Sequence, residues 1–161
     1  MENVFKIVPI ENDSRNIAVK IIAEHWCSSL VVTKGKVHSA ENLPGFMAYI
    51  DDEVQGLITY NIADSECEIV SLDSFAENQG LGSALIHKVV ELAKSRRCSR
   101  VWLITTNDNT KAIRFYQKRG FDLAGIHLNA IQESRKIKPQ IPLYGIDGIP
   151  ILHEIEFEIV F

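Results

Sequence analysis

CEIVSLDS (67–74), ENQGLGS (77–83), RVWLITT (100–106) and NTKAIRFYQKRGF (109–121) are the segments whose reading decides the fold. Together they span Glu66–Phe121 and read as strand, glycine turn, helix, strand, helix. After the turn, Leu81, Ala84, Leu85, Val89, Leu92 and Ala93 recur on one helical face. Gly80 and Gly82 lack side chains, so the backbone can bend sharply there and a ligand can approach closely. The turn lies at a helix N-terminus, where unpaired N–H groups and the macrodipole suit a phosphate or diphosphate. It is not a P-loop, because no Gly-Lys-Ser/Thr follows. It is not a dinucleotide fingerprint either, because Leu85 stands at the third glycine and no clear acidic strand-end partner follows.

The flanks add a sheet and a pocket. Val4–Pro9 alternates and predicts a first strand. Asp13 or Ser14 can cap a helix running to about Trp26, with Ile17, Val19, Ile21, Ile22 and Trp26 on its apolar face. Gly35–Asn42 reads as a polar loop carrying His38. Phe46–Ile50 and Val54–Ile62 form a hairpin through Asp51-Asp52-Glu53, and Ala63-Asp64-Ser65 turns the chain into Glu66–Ser74. Beyond Phe121 the reading is a strand over Asp122–Leu128, a helix over Asn129–Ile137, a break at Lys138-Pro139 and a loop over Gly145–Pro150. Ile151–Phe161 closes the chain as a half-exposed strand, with Ile155, Phe157 and Ile159 inward and Glu154, Glu156 and Glu158 on a solvated face.

Composition bounds the function. A chain of 161 residues, 46% hydrophobic and 24% charged, predicts a single globular domain over residues 1–161. A net charge of −4 argues against a broad nucleic-acid surface. Three cysteines, Cys27, Cys67 and Cys98, cannot all pair within one chain and lack metal-ligand spacing. The expectation is a cytoplasmic protein with reduced thiols, no metal and no membrane association.

The second half of Glu66–Phe121 resembles the GNAT superfamily of acetyl-CoA-dependent N-acetyltransferases. The family's phosphate loop, Arg/Gln-x-x-Gly-x-Gly/Ala, matches at Gly80 and Gly82, with Glu77 where the family has Arg or Gln. The family's next helix, Asn-x-x-Ala-x-x-Phe/Leu-Tyr-x-x-x-Gly-Phe, matches at Asn109, Ala112, Phe115, Tyr116, Gly120 and Phe121. The resemblance implies an α/β (α+β) fold: a mixed, mostly antiparallel sheet of about seven strands, flanked by helices, whose central strand pair is splayed.

It also implies a site. Acetyl-CoA is the expected acyl donor, with its arm between the splayed strands on Leu72, Asp73 and Ser74 and its diphosphate on Gln79, Gly80, Leu81, Gly82 and Ser83. Asn109, Ala112 and Phe115 would flank the arm, and Lys88, Lys111 or Arg114 could meet the remaining phosphate. Leu72 N–H would stabilise the oxyanion, and Tyr116 would protonate the leaving thiolate. Glu68, with His38 second, is the expected base for the attacking amine, and Trp26 and His38 are candidate pocket residues. The acceptor is a small-molecule or peptide amine, a cationic one suiting an acidic protein. The insertion Asn129–Pro150 would shape the acceptor site, cover a sheet edge or meet a second subunit in a homodimer. The alternative is a non-catalytic acyl-CoA sensor or an interaction module.

Overall fold

The computed structural model describes residues 5–76 and 80–161, so Glu77, Asn78 and the expected diphosphate contact Gln79 lie outside the described residues. Val4, the expected start of the first strand, also lies outside them.

The strands are β1 (Lys6–Pro9), β2 (Leu30–Thr33), β3 (Lys36–Ser39), β4 (Gly45–Ile50), β5 (Glu53–Ala63), β6 (Glu66–Ser74), β7 (Arg100–Thr106), β8 (Asp122–His127) and β9 (Glu154–Val160). The helices are α1 (Arg15–His25), α2 (Leu81–Ser95), α3 (Thr110–Lys118) and α4 (Ala130–Ile137), and a single 3₁₀ turn covers Ile146–Gly148. One sheet of seven strands runs β1-β4-β5-β6-β7-β9-β8. Every pairing in it is antiparallel except β6 with β7. The fold is the mixed, mostly antiparallel one expected from the sequence.

Two-residue turns with positive φ at both positions set the hairpin registers. Asp51-Asp52 joins β4 to β5 and Asp64-Ser65 joins β5 to β6. Such turns match the right-handed twist of the strands. A third, Lys34-Gly35, joins β2 to β3 as a separate ribbon where the sequence reading placed only a loop.

The sheet is covered on both faces. On one, α2 buries Leu81, Leu85, Ile86, Val89 and Ala93 against Ile58, Ile69, Val101 and Phe157. On the other, Ala18 and Ile22 of α1 join Val31, Met47, Leu57 and Val70. Of the apolar face expected for α1, Ile22 is buried and Val19, Ile21 and Trp26 pack against this cluster, whereas Ile17 is 44% exposed. Ser14 starts α1 but does not cap it with its side chain: its hydroxyl accepts from Glu11 N at 2.9 Å. No helix among the described residues is long and apolar enough to cross a membrane.

The glutamate face of β9 is not solvated. Glu154 is 1% and Glu156 is 7% exposed. Glu156 accepts from Arg100 Nη1 at 2.8 Å, His127 Nε2 at 3.1 Å and Lys34 Nζ at 3.1 Å. Arg100 also holds Glu66 and Glu158. Alternation was read correctly, but the Lys34 turn and Arg100 cover the polar side. Burial pushes the Glu156 carboxyl up, and the hydrogen bonds from Arg100, His127 and Lys34 outweigh it, leaving the pKa at about 2 against an ordinary 4.5.

A carboxylate depressed in the folded state contributes stability that is present above its unfolded pKa and lost as pH falls through the folded one. Urea unfolding should show this contribution declining between the ordinary 4.5 and about 2. Glu156→Gln should cost about 2 kcal/mol near neutral pH and flatten the decline over that window.

Candidate active site

The site begins where two parallel strands part. β6 pairs with β7 from Glu66 opposite Arg100 to Ile69 opposite Leu103, and no further. Beyond that point β6 runs on to Ser74 and β7 to Thr106 without a shared ladder. The register of β6 against β5 shifts at the same place, leaving Val70 as an extra residue between Ser71 and Ile69. A bulge bends its strand and increases the local twist. The backbone of Leu72 and Ser74 therefore borders a cleft instead of a neighbouring strand.

Three cavities meet along this cleft. A slot of about 110 Å³ between the strands is walled by Leu72, Thr105, Asn109, Ala112 and Tyr116, among others. On the α2/α3 side a cavity of about 580 Å³ shares Leu72, Ala112 and Tyr116 with the slot. On the α1/α4 side a cavity of about 610 Å³ shares Trp26, Ile104, Thr105 and Asn109 with it. The slot thus has walls in common with a compartment on each face of the sheet.

The α2/α3 compartment is bordered by the start of α2 and by basic side chains of α3. Gly80 precedes α2 with φ 74°, a conformation glycine adopts without strain. Ala84 N is bonded to Gly80 O at 3.0 Å, so Leu81, Gly82 and Ser83 form the first turn of α2, whose amides have no acceptor within the helix. The Leu81 side chain is core, which leaves only its backbone for a ligand. A Cβ on Gly82 would sit 3.1 Å from the Phe115 ring, so glycine there keeps the helices close. Lys111, Arg114, Lys118 and Arg119 line the compartment. Arg119 lies 3.5 Å over the Phe115 ring and donates to Ser83 Oγ at 2.7 Å. Lys88 is exposed and lies outside this lining.

α3 is fixed by its cap, Asn109, whose side chain accepts from Ala112 N at 3.1 Å. This sets Tyr116 in the slot wall, edge-on to Phe115 and Phe121 at 5.2 and 5.5 Å. Burial pushes the Tyr116 phenol up and the nearby Asp73 pushes it further, so it keeps its proton across the neutral range. Asp73 itself accepts from Trp26 Nε1 at 3.3 Å, and burial raises its carboxyl.

The structure corrects two expected placements. Glu68 is 3% exposed and lines neither side of the slot. Its carboxylate accepts from Thr33 Oγ1 at 2.6 Å and pairs with His38 Nε2 at 3.2 Å. His38, 4% exposed on β3, is neither on a loop nor in a cavity wall. Both are tied to the β2–β3 ribbon, and Thr33, which donates to Glu68, lines the larger cavity. Trp26 both packs on the core and lines the slot and the larger cavity.

The α1/α4 compartment holds residues that sequence reasoning missed. Glu154 and Lys138 line it, with apolar walls that include Val31, Ile131, Ile141 and Ile151. Glu154 accepts Lys34 N with both oxygens, at 3.3 and 3.2 Å. Burial raises its carboxyl above the ordinary range, and the Lys34 amide only partly offsets that. Gly145 must be glycine, because a Cβ would lie 1.9 Å from Asp108 Oδ2.

Comparisons with known proteins bear on the family and the fold. The family model described as Acetyltransferase (GNAT) family matches residues 13–121. Protein YdhI of Bacillus subtilis (strain 168) is 41% identical over 152 residues, covering 94% of this chain and 95% of YdhI. The L-amino acid N-acetyltransferase AaaT of Escherichia coli (strain K12) is 28% identical over 116 residues, covering 63% of this chain and 72% of AaaT. A GNAT family acetyltransferase from Elizabethkingia anophelis, solved with acetyl-CoA bound, superposes with a TM-score of 0.71 at 21% identity, over 100% of both chains.

The Thr33–Glu68–His38 cluster is buried and fully satisfied, so it should act on stability. Thr33→Val removes the donor to Glu68 and should cost about 1–3 kcal/mol in urea unfolding. The midpoint should fall with the slope unchanged.

Proposed function

Because the chain belongs to the GNAT family of acetyl-CoA-dependent N-acetyltransferases, we propose that it moves an acetyl group from acetyl-CoA to a primary amine by direct attack. The observation that carries this reading is the slot between β6 and β7, which shares walls with a compartment lined by basic residues on one face and a mixed apolar and charged one on the other. The structure with acetyl-CoA bound supports the donor, and the amino acid acetyltransferase relative supports a small amine as acceptor.

In this mechanism the amides at the start of α2 hold the diphosphate, with Arg119 and its neighbours around it. Leu72 and Ser74 offer backbone groups to the amide-bearing arm of the donor. Leu72 N–H stabilises the charge that develops on the thioester oxygen. The amine nitrogen bonds to the carbonyl carbon and the carbon–sulfur bond breaks. Tyr116 gives its proton to the departing thiolate. Its environment holds that proton at neutral pH, which suits an acid.

The proton leaving the amine goes to a carboxylate. Glu154 is the stronger candidate, because it lines the acceptor compartment and its raised pKa brings it toward neutrality. Glu68 is second and would act only through Thr33.

The reading is tested by thiol release on an amine panel together with thermal shift in acetyl-CoA. Stabilisation without turnover on any amine would make the chain a sensor instead. Tyr116→Phe should lower kcat by about 10²-fold while acetyl-CoA affinity changes little. A base works deprotonated, so wild-type activity should fall as pH drops through the raised Glu154 pKa. Glu154→Gln should remove that acid limb and lower the neutral rate by about 10²-fold. Glu68→Gln should leave the limb in place; its loss there would move the base to Glu68.

A further inference from the structure

Lys138 is a buried cation with no anion paired to it among the described residues. It follows α4, is 7% exposed and lines the acceptor compartment. Its Nζ donates to Leu30 O at 2.7 Å and to Trp26 O. An ammonium has three donors. The ion pairs of the described residues do not include Lys138, so no carboxylate among them neutralises it. Two carbonyl dipoles orient such a charge but do not cancel it, and an uncompensated charge is costly to bury. Burial accordingly lowers the Lys138 pKa.

The compartment is polarised. Lys138 is tied to Leu30 at the first residue of β2, and Glu154 is tied to Lys34 just past its last. Opposite charges therefore stand toward the two ends of the strand, with Val31, Ile131 and Ile151 lining the compartment as well. The cationic end adjoins Trp26, which also walls the slot.

We propose that Lys138 selects the acceptor by its carboxylate, so that the substrate class is an amino acid with an apolar body. This rests on the acetyl-transfer reading above and deepens it. The negative charge that the described residues do not supply at Lys138 is brought by the acceptor, and its amine lies toward Glu154.

The test uses matched acceptors: L-phenylalanine and L-leucine against their amides and parent amines, and 6-aminohexanoate against hexylamine. The wild-type kcat/KM should favour the carboxylate member by about tenfold or more in at least one set. Lys138→Gln keeps a donor for Leu30 O and removes the charge. It should erase that preference through the KM of the carboxylate member. The wild-type preference is read independently of whether the variant folds. Equal rates across every matched set, or a preference that survives Lys138→Gln, would overturn the assignment of Lys138. Failure to acetylate any amine would instead overturn the acetyl-transfer reading.

Discussion

The fold depends on one interrupted ladder. β6 and β7 are the parallel neighbours of the sheet, and their pairing stops at Ile69 and Leu103. Two strands that paired to their ends would seal the sheet, and the compartments on its two faces would have no wall in common. The interruption is stable because each strand has another partner: β6 pairs with β5 through to Ser74, and β7 with β9 through to Thr106. The cleft therefore exposes one edge of each strand without unmooring either. The Val70 bulge sets where parting begins, and Asn109 and Tyr116 set how the gap is filled.

A second constraint acts on the acceptor side. Glu66, Glu68, Glu154, Glu156 and Glu158 converge on β6 and β9, a concentration of negative charge that would repel itself if left bare. Arg100, His38, His127, Thr33 and the Lys34 turn answer it. Most of these partners come from the β2–β3 ribbon, which has little hydrophobic face of its own beyond Val31. Satisfied charge pairs specify where the ribbon sits, and the ribbon in turn walls the larger cavity with Val31, Val32 and Thr33. Polar bonding here fixes the pocket's shape.

Much of the fold was legible in the sequence because it depends on local pattern. β6 and β7 cover the runs Glu66–Ser74 and Arg100–Thr106 read as strands, and Asn109 was identifiable as a helix start from its motif. The β2–β3 ribbon was missed, although LVVT and KVHS flank Lys34-Gly35 as two short runs around a two-residue turn. That signal competed with the polar residues on either side of His38. The β9 glutamates were misjudged for a different reason. Alternation tells which residues share a face, but not what covers it, and the cover comes from residue 34, far along the chain. The same limit hid Lys138, whose partners are Trp26 and Leu30.

These misses share a cause that lies in how the two sides of the cleft are built. The side proposed for the donor presents largely backbone: amides at the start of α2, the freed edge of β6, and glycine where a helix must come close. Backbone recognition leaves a trace in sequence as glycines and caps at fixed spacing, because the geometry itself demands them. The acceptor side works through side chains brought together from α1, β2, β7, α4 and β9. No spacing rule connects Trp26, Thr33, Lys138 and Glu154, and a change at one need not disturb the others' local structure. A fold divided in this way can keep its donor chemistry while its acceptor changes. The cavity's charge balance then becomes the most direct record of what it receives, which is why an unneutralised ammonium there carries more information than any motif in the chain.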